Sequence, residues 1–217
     1  TKMIDSETGE KITEEKLMQI TQNLALQPKD LSVTWKELGP DNIGGRTRCV
    51  LIDHTNQDNI WSGGVTGGLY KSTWKANLWE RVDNFPGNQF ISSLAQDADG
   101  NIYVATGSIS EGSNFRGNGL FVTPDDGESW ELVPTTDNIT IINRVRATRN
   151  SNKVFFTAAT GGLKQYTYGG IVEDVPGYPA NTARTLEISS DGEVLVCPPK
   201  TYIIFASSTL PFSWQYC

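Results

Sequence analysis

Large apolar residues return along this 217-residue chain at a nearly fixed period. Trp35 opens WKEL, Trp79 opens WERV and Trp130 opens WELV. Trp214 opens WQYC at about twice the usual interval, and the midpoint between Trp130 and Trp214 falls on Val172, which opens VEDV. A second series keeps the same period. The apolar runs NIWSGG, NIYVAT, KVFFTA and EVLVCP centre on Trp61, Tyr103, Phe155 and Leu195. Each run follows a turn-like stretch: HTNQD, DADG, RNSN and SSDG. Asp, Asn, Ser and Gly favour turns because their short side chains bond the backbone or, for Gly, because positive φ is open to them. Shortly past Trp61, Phe155 and Leu195, and always at the same distance, another apolar run is under way at Leu69, Leu163 and Ile203. After Tyr103 the corresponding run is reached only at Leu120, so that repeat carries an insertion.

Each repeat holds four short β-type runs, the arrangement of a β-propeller blade. The inner strands are RCVLID, ISSLAQ, RVRAT and TLEIS, and the second strands are the apolar runs above. Third strands are GLYKS, GLFVT, GLKQY and YIIFA, and outer strands begin at the Trp marks and at Val172. A two-sheet sandwich also shows many short strands, but it does not normally repeat its own sequence at this period. The expected fold is therefore all-β. It has four blades of four antiparallel strands over approximately 46–83, 88–134, 142–176 and 183–217, within a propeller region 31–217.

Residues 123–130, TPDDGESW, fit the pattern Ser/Thr-x-Asp-x-Gly-x-x-Trp, with Thr123, Asp125, Gly127 and Trp130 in its fixed places. Decayed copies are STWKANLW (72–79), QYTYGGIV (165–172) and SSTLPFSW (207–214). On these residues the chain resembles the Asp-box, or BNR-repeat, propellers of the sialidase, sortilin and xyloglucanase type. WKELGPDNIGGRTRCVLID followed by GGVTGGLYKS is similar to the opening blade of secreted Bacteroidota members of that group. The resemblance covers roughly 35–217. It implies that the four motif residues are structural, with the carboxylate closing a turn and the Trp packing between blades. It also implies a secreted or cell-surface location, with type IX export as one route.

Segment 1–30 stands outside the repeat. Thr13 is placed to cap a helix with Glu14 and Glu15 in its first turn. Leu17, Ile20, Leu24 and Ala25 give it one apolar stripe ending before Pro28, expected to pack against the propeller, with a leader or partner-docking helix as the alternative. The stretch 32–38 reads as an outer strand with no preceding three, while the last repeat already has its own outer strand at Trp214. That surplus strand implies a longer propeller of about six to eight blades, with a closed four-blade ring as the alternative. Open blade edges would otherwise leave backbone groups unpaired.

Composition narrows the function classes. Net charge is −7 with scattered Lys and Arg, which disfavours a nucleic-acid partner. No apolar run approaches the roughly 20 residues of a membrane helix. Three cysteines cannot all pair within one chain, and Cys49 and Cys197 fall in strands, where a small buried hydrophobe is the expected role. The single histidine, His54, excludes a His-based zinc site or a Ser-His-Asp triad. DADGN (97–101) begins like a calcium loop but lacks the twelfth-place Glu, so it reads as a hairpin turn. Neither a metal nor a cofactor is expected. Asn138-Ile-Thr140 is a glycosylation sequon.

Propeller ligands usually sit on the face formed by the loops entering inner strands and those joining second to third strands. Here the candidates are Arg48, Arg144 and Arg184 near the starts of three inner strands, with Phe115 and Arg116 in the insertion 106–119. Glu111 and Asn114 lie in the same insertion, and Phe85 and Phe90 are further aromatic platforms. Such arginines could hold an anionic sugar or bond carbonyls between blades; the sialidase Phe/Tyr-Arg-Ile-Pro signature is absent. Xyloglucanase-like relatives place a catalytic Asp before Gly-Gly in the first blade, where this chain has Val65. Glycoside hydrolysis needs two carboxyl groups about 5 to 10 Å apart. Asp41, Asp83, Glu111 and Asp137 stand in separate polar loops. No catalytic residue is therefore assigned. The expected function is a binding module for a glycan or protein ligand; the alternative is a glycoside hydrolase fragment whose catalytic residues lie mostly elsewhere.

Overall fold

The computed structural model describes residues 46–73, 78–109, 115–148, 151–178, 182–189, 194–197, 204–207 and 214–216. The chain divides after Glu37 into two units, and all described residues belong to the second, Leu38–Cys217. The helix expected over 13–26 and the strand expected over 32–38 lie outside the described residues.

Among the described residues, sixteen strands make four sheets of four. Blade 1 contains β1 (Thr47–Ile52), β2 (Asn59–Gly64), β3 (Gly68–Thr73) and β4 (Trp79–Arg81). Blade 2 contains β5 (Ile91–Gln96), β6 (Ile102–Thr106), β7 (Leu120–Thr123) and β8 (Glu131–Leu132). Blade 3 contains β9 (Ile142–Ala147), β10 (Lys153–Ala158), β11 (Gly162–Thr167) and β12 (Glu173–Asp174). Blade 4 contains β13 (Glu187–Ile188), β14 (Val194–Val196), β15 (Ile204–Ser207) and β16 (Trp214–Tyr216). In every sheet the strands pair antiparallel in chain order, each with its neighbour in sequence. This is the all-β architecture that the repeat implies.

The register repeats as well. Leu51 faces Trp61, Ala95 faces Tyr103, Arg146 faces Phe155 and Ile188 faces Leu195. Pairing in blades 1, 2 and 3 skips one residue near the start of the inner strand: Arg48, Ser92 and Asn143. A bulge at that point bends the strand and re-aims its side chains. At the buried Ser92 the hydroxyl donates to the Ile142 carbonyl of the next blade.

Because strand side chains alternate between faces, each blade presents one apolar layer to each neighbour. Trp61, Leu69, Phe85, Ile91, Leu94, Ile102, Val104 and Phe121 form the layer between blades 1 and 2. Tyr103, Leu120, Val122, Ile142, Val145, Val154 and Phe156 lie between blades 2 and 3, and Phe155, Leu163, Leu186 and Cys197 between 3 and 4. Burial of each such side chain contributes about 1.5–3 kcal/mol. The core is thus a series of interfaces between sheets, and the period in the sequence is the period of those interfaces.

A candidate ligand site at the inner strands

The inner strands β1, β5 and β9 lie side by side and line an open cavity of about 420 Å³. Its polar lining comes from Arg48, His54, Ser93, Gln96, Arg144 and Arg146. Arg144 and Arg146 stand two apart in one strand, which sends both side chains to the same face. Arg146 is committed: its guanidinium forms a two-point pair with Glu187 of blade 4 at 3.0 and 2.9 Å. It also donates to the Val145 carbonyl and the Ser93 hydroxyl. Arg144 differs. Its backbone amide bonds Thr157, but among the described residues no hydrogen bond or ion pair reaches its half-buried guanidinium. Burial, then the charges of Arg146 and Arg48, hold that guanidinium below its usual pKa range. An anion entering the cavity would offset all three influences.

The floor of the cavity is tied together by hydrogen bonds. Asp53, buried just after β1, accepts hydrogen bonds from Thr55, Asn56 and, across the blade boundary, the Gln96 amide at 2.7 Å. Burial pushes the Asp53 carboxyl pKa up, but these donors outweigh it and hold the pKa below the ordinary value. The His54 amide bonds Gln96 in return, and a His54 ring nitrogen lies 2.7 Å from the Asp97 carbonyl. Cys49, beside Arg48, is a free thiol whose pKa burial pushes up to about 12, so it is an inert wall at neutral pH.

The other residues singled out from sequence fall elsewhere. Arg184 is exposed in the segment preceding β13 and is not part of the cavity lining. Phe115 is half-buried and lies against Phe90, ring centroids 5.0 Å apart, where the insertion folds back through a bridge between Ser108 and Phe115. The Arg116 side chain is exposed, and its carbonyl accepts a bond from Asn88. Glu111, Asn114 and Asp41 lie outside the described residues. Phe85 is no platform: it is 7% exposed and packs edge-on against Phe121 and Trp130. Val65 is buried, and Asp83 and Asp137 are exposed on separate loops. Arg146 is not among the residues singled out from sequence, although the alternation of RVRA carries the signal.

Residues 123–130 form a turn between β7 and β8 that acts as an inter-blade latch. Asp125 Oδ1 accepts from the Thr123 hydroxyl and the Ser129 amide, both at 2.8 Å, closing the loop. Asp126, at φ 58°, turns its carboxylate outward to blade 1, where it meets Asn59 Nδ2 and Lys71 Nζ at 2.8 Å. The Asn84 amide donates to the carbonyls of Gly127 and Glu128. Trp130 then stands edge-on to Trp61 of blade 1, centroids 6.2 Å apart. These carboxylates serve the fold and not the cavity.

Known proteins share this architecture. Residues 84–108 match the family model described as two component regulator propeller. A probable oligoxyloglucan-reducing end-specific xyloglucanase of Neosartorya fischeri is 31% identical over 102 residues, which is 45% of this chain. The oligoxyloglucan-reducing end-specific xyloglucanase of Emericella nidulans is 32% identical over 111 residues, or 49% of this chain. The matched stretches amount to only 11% and 12% of those enzymes. Among solved structures, the nidogen/laminin complex matches with a TM-score of 0.61 at 8% identity, covering 78% of this chain and 64% of that one. An auxiliary nutrient binding protein from Bacteroides thetaiotaomicron matches with a TM-score of 0.61 at 9% identity, covering 79% and 42%. U3-55K matches with a TM-score of 0.59 at 12% identity, covering 79% and 51%. With its four repeated sheets, these matches identify the chain as a propeller-type protein.

Proposed function

We propose that these blades form the binding module of a secreted or surface-displayed Asp-box propeller, and that the ligand is an anionic glycan or an acidic protein segment held at the inner-strand cavity. The observation that carries this reading is Arg144: a half-buried guanidinium facing a cavity beside two further arginines, while the nearby Glu187 is already paired with Arg146. A half-buried cation whose nearest carboxylate, Glu187, is hydrogen-bonded to another arginine is only partly compensated, and a carboxylate or sulfate would satisfy it with charge-assisted bonds. The fold likeness to a nutrient binding protein is consistent with binding as the role.

The test is a calorimetric titration of the purified chain with heparin, polygalacturonate and a neutral xyloglucan oligosaccharide. Binding of an acidic polymer is expected, weakened about tenfold or more in Arg144→Gln, as loss of a charge-assisted bond implies. Equal binding of the neutral oligosaccharide, or no effect of Arg144→Gln, would overturn the reading. A second reading, part of a glycoside hydrolase, is favoured by the 31% and 32% identity to xyloglucanases over nearly half of the chain. Release of reducing ends from xyloglucan oligosaccharides by the purified full-length protein would support it.

A further inference from the structure

One face of blade 1 departs from the repeat. Val50, Leu94 and Val145 hold the same register place, pairing with Ser62, Val104 and Phe156 in the second strands. Leu94 packs toward blade 1 and Val145 toward blade 2, and they are 6% and 0% exposed. Val50, on the corresponding face of blade 1, is 59% exposed. Ile52 repeats the contrast. Its counterparts are Gln96, 7% exposed, and Ala147, half-buried against the core, yet Ile52 is 61% exposed. Further out on the same face Ile60 and Tyr70 are buried, so the open part is confined to the inner strand. A β-branched pair left in water on an inner strand is an apolar surface without the layer that covers it in blades 2 and 3.

We propose that this surface is the seat of a further blade of the same ring, whose inner strands are supplied by polypeptide continuous with this chain. Two observations select that occupant. The face that covers Leu94 and Val145 is in each case the inner half of the preceding blade, so the complementary shape is a blade and not a peptide or small ligand. The solved propellers that this chain resembles are longer, since it covers 64%, 42% and 51% of them. The sequence supplies one strand of such a blade: 32–38 reads as an outer strand, joined by 39–46 to β1. A closing blade there would wall the cavity on its Val50 side, so ligand access would then run along the ring axis.

The experiment compares two proteins, the full-length gene product and this 217-residue chain. The native product should show an intact mass well above the 23.8 kDa of the chain; a mass equal to it would overturn the proposal. Val50→Ser with Ile52→Ser is then introduced into both, beside Leu94→Ser as a substitution buried in either context. The double variant should lower the urea midpoint of the full-length protein about as far as Leu94→Ser does, and leave that of the short chain nearly unchanged. Equal effects in the two proteins would overturn it. So would a dimer of the short chain that the double variant dissociates, because the occupant would then be a second copy. The readout is stability alone, so a failure of anion binding leaves it standing.

Discussion

Gly127 shows how a single position in the repeated turn is fixed by packing as well as by backbone. Its φ is +94°, a region that side chains rarely enter, and a Cβ there would lie 2.6 Å from the Trp61 ring. Gly127→Ala must therefore strain the turn and push on a ring with no exposed surface. A loss of about 1–3 kcal/mol is expected from overpacking, read as a lower urea midpoint. Tyr103 offers a second test. Its hydroxyl donates at 2.9 Å to the Asp97 carboxylate, which also accepts from Asn101 inside a buried hairpin. Tyr103→Phe removes a donor to a buried charged acceptor, and a destabilisation of about 1.5–3 kcal/mol is expected.

At the scale of the element, the unit of cohesion is the contact between neighbouring sheets. Trp61 on β2 and Trp130 beside β8 meet edge to face, and Phe85 packs on Trp130 at 5.0 Å. The turn that carries Trp130 is itself held to blade 1 through Asp126 and Lys71. That ion pair is partly exposed and adds at most about 1 kcal/mol, so the aromatic contact dominates. A double-mutant cycle on Trp61→Leu and Trp130→Leu should return a coupling energy of about 0.5–1.5 kcal/mol. Additive losses would mean that the two rings stabilise their own blades separately.

At the scale of the whole molecule, alkaline pH reports on burial. Burial pushes the thiol pKa of Cys49 up to about 12 and that of Cys197 up to about 11, from an ordinary 9.0. Burial also raises the phenols of Tyr103 and Tyr178. The folded protein therefore keeps protons that the unfolded chain releases above about pH 9. Stability should fall progressively between about pH 9 and 12, as linkage requires. The urea midpoint is expected to be lower at pH 10.5 than at pH 8, with a shallower fall in Cys49→Ser. At pH 8, alkylation of Cys49 and Cys197 by iodoacetamide should be slow and should accelerate when urea unfolds the blades.

The period of the Trp marks and of the apolar runs was enough to determine the strands and their pairing order, because alternation and turn chemistry are local properties. Thr123 to Trp130 likewise announced its own turn, since the hydrogen bonds that close it join near neighbours in the chain. Partnership across blades was decided only by the tertiary structure. Nothing local in the sequence says that Asp126 reaches Lys71, that Phe85 turns into the core, or that Arg146 is paired with Glu187 while Arg144 is not. Those outcomes depend on which neighbouring sheet covers a side chain, and the bulges at Arg48, Ser92 and Asn143 re-aim the inner strands. The same dependence separates Val50 from Leu94 and Val145: one register place, always apolar, is core where the preceding blade covers it, at Leu94 and Val145, and exposed at Val50.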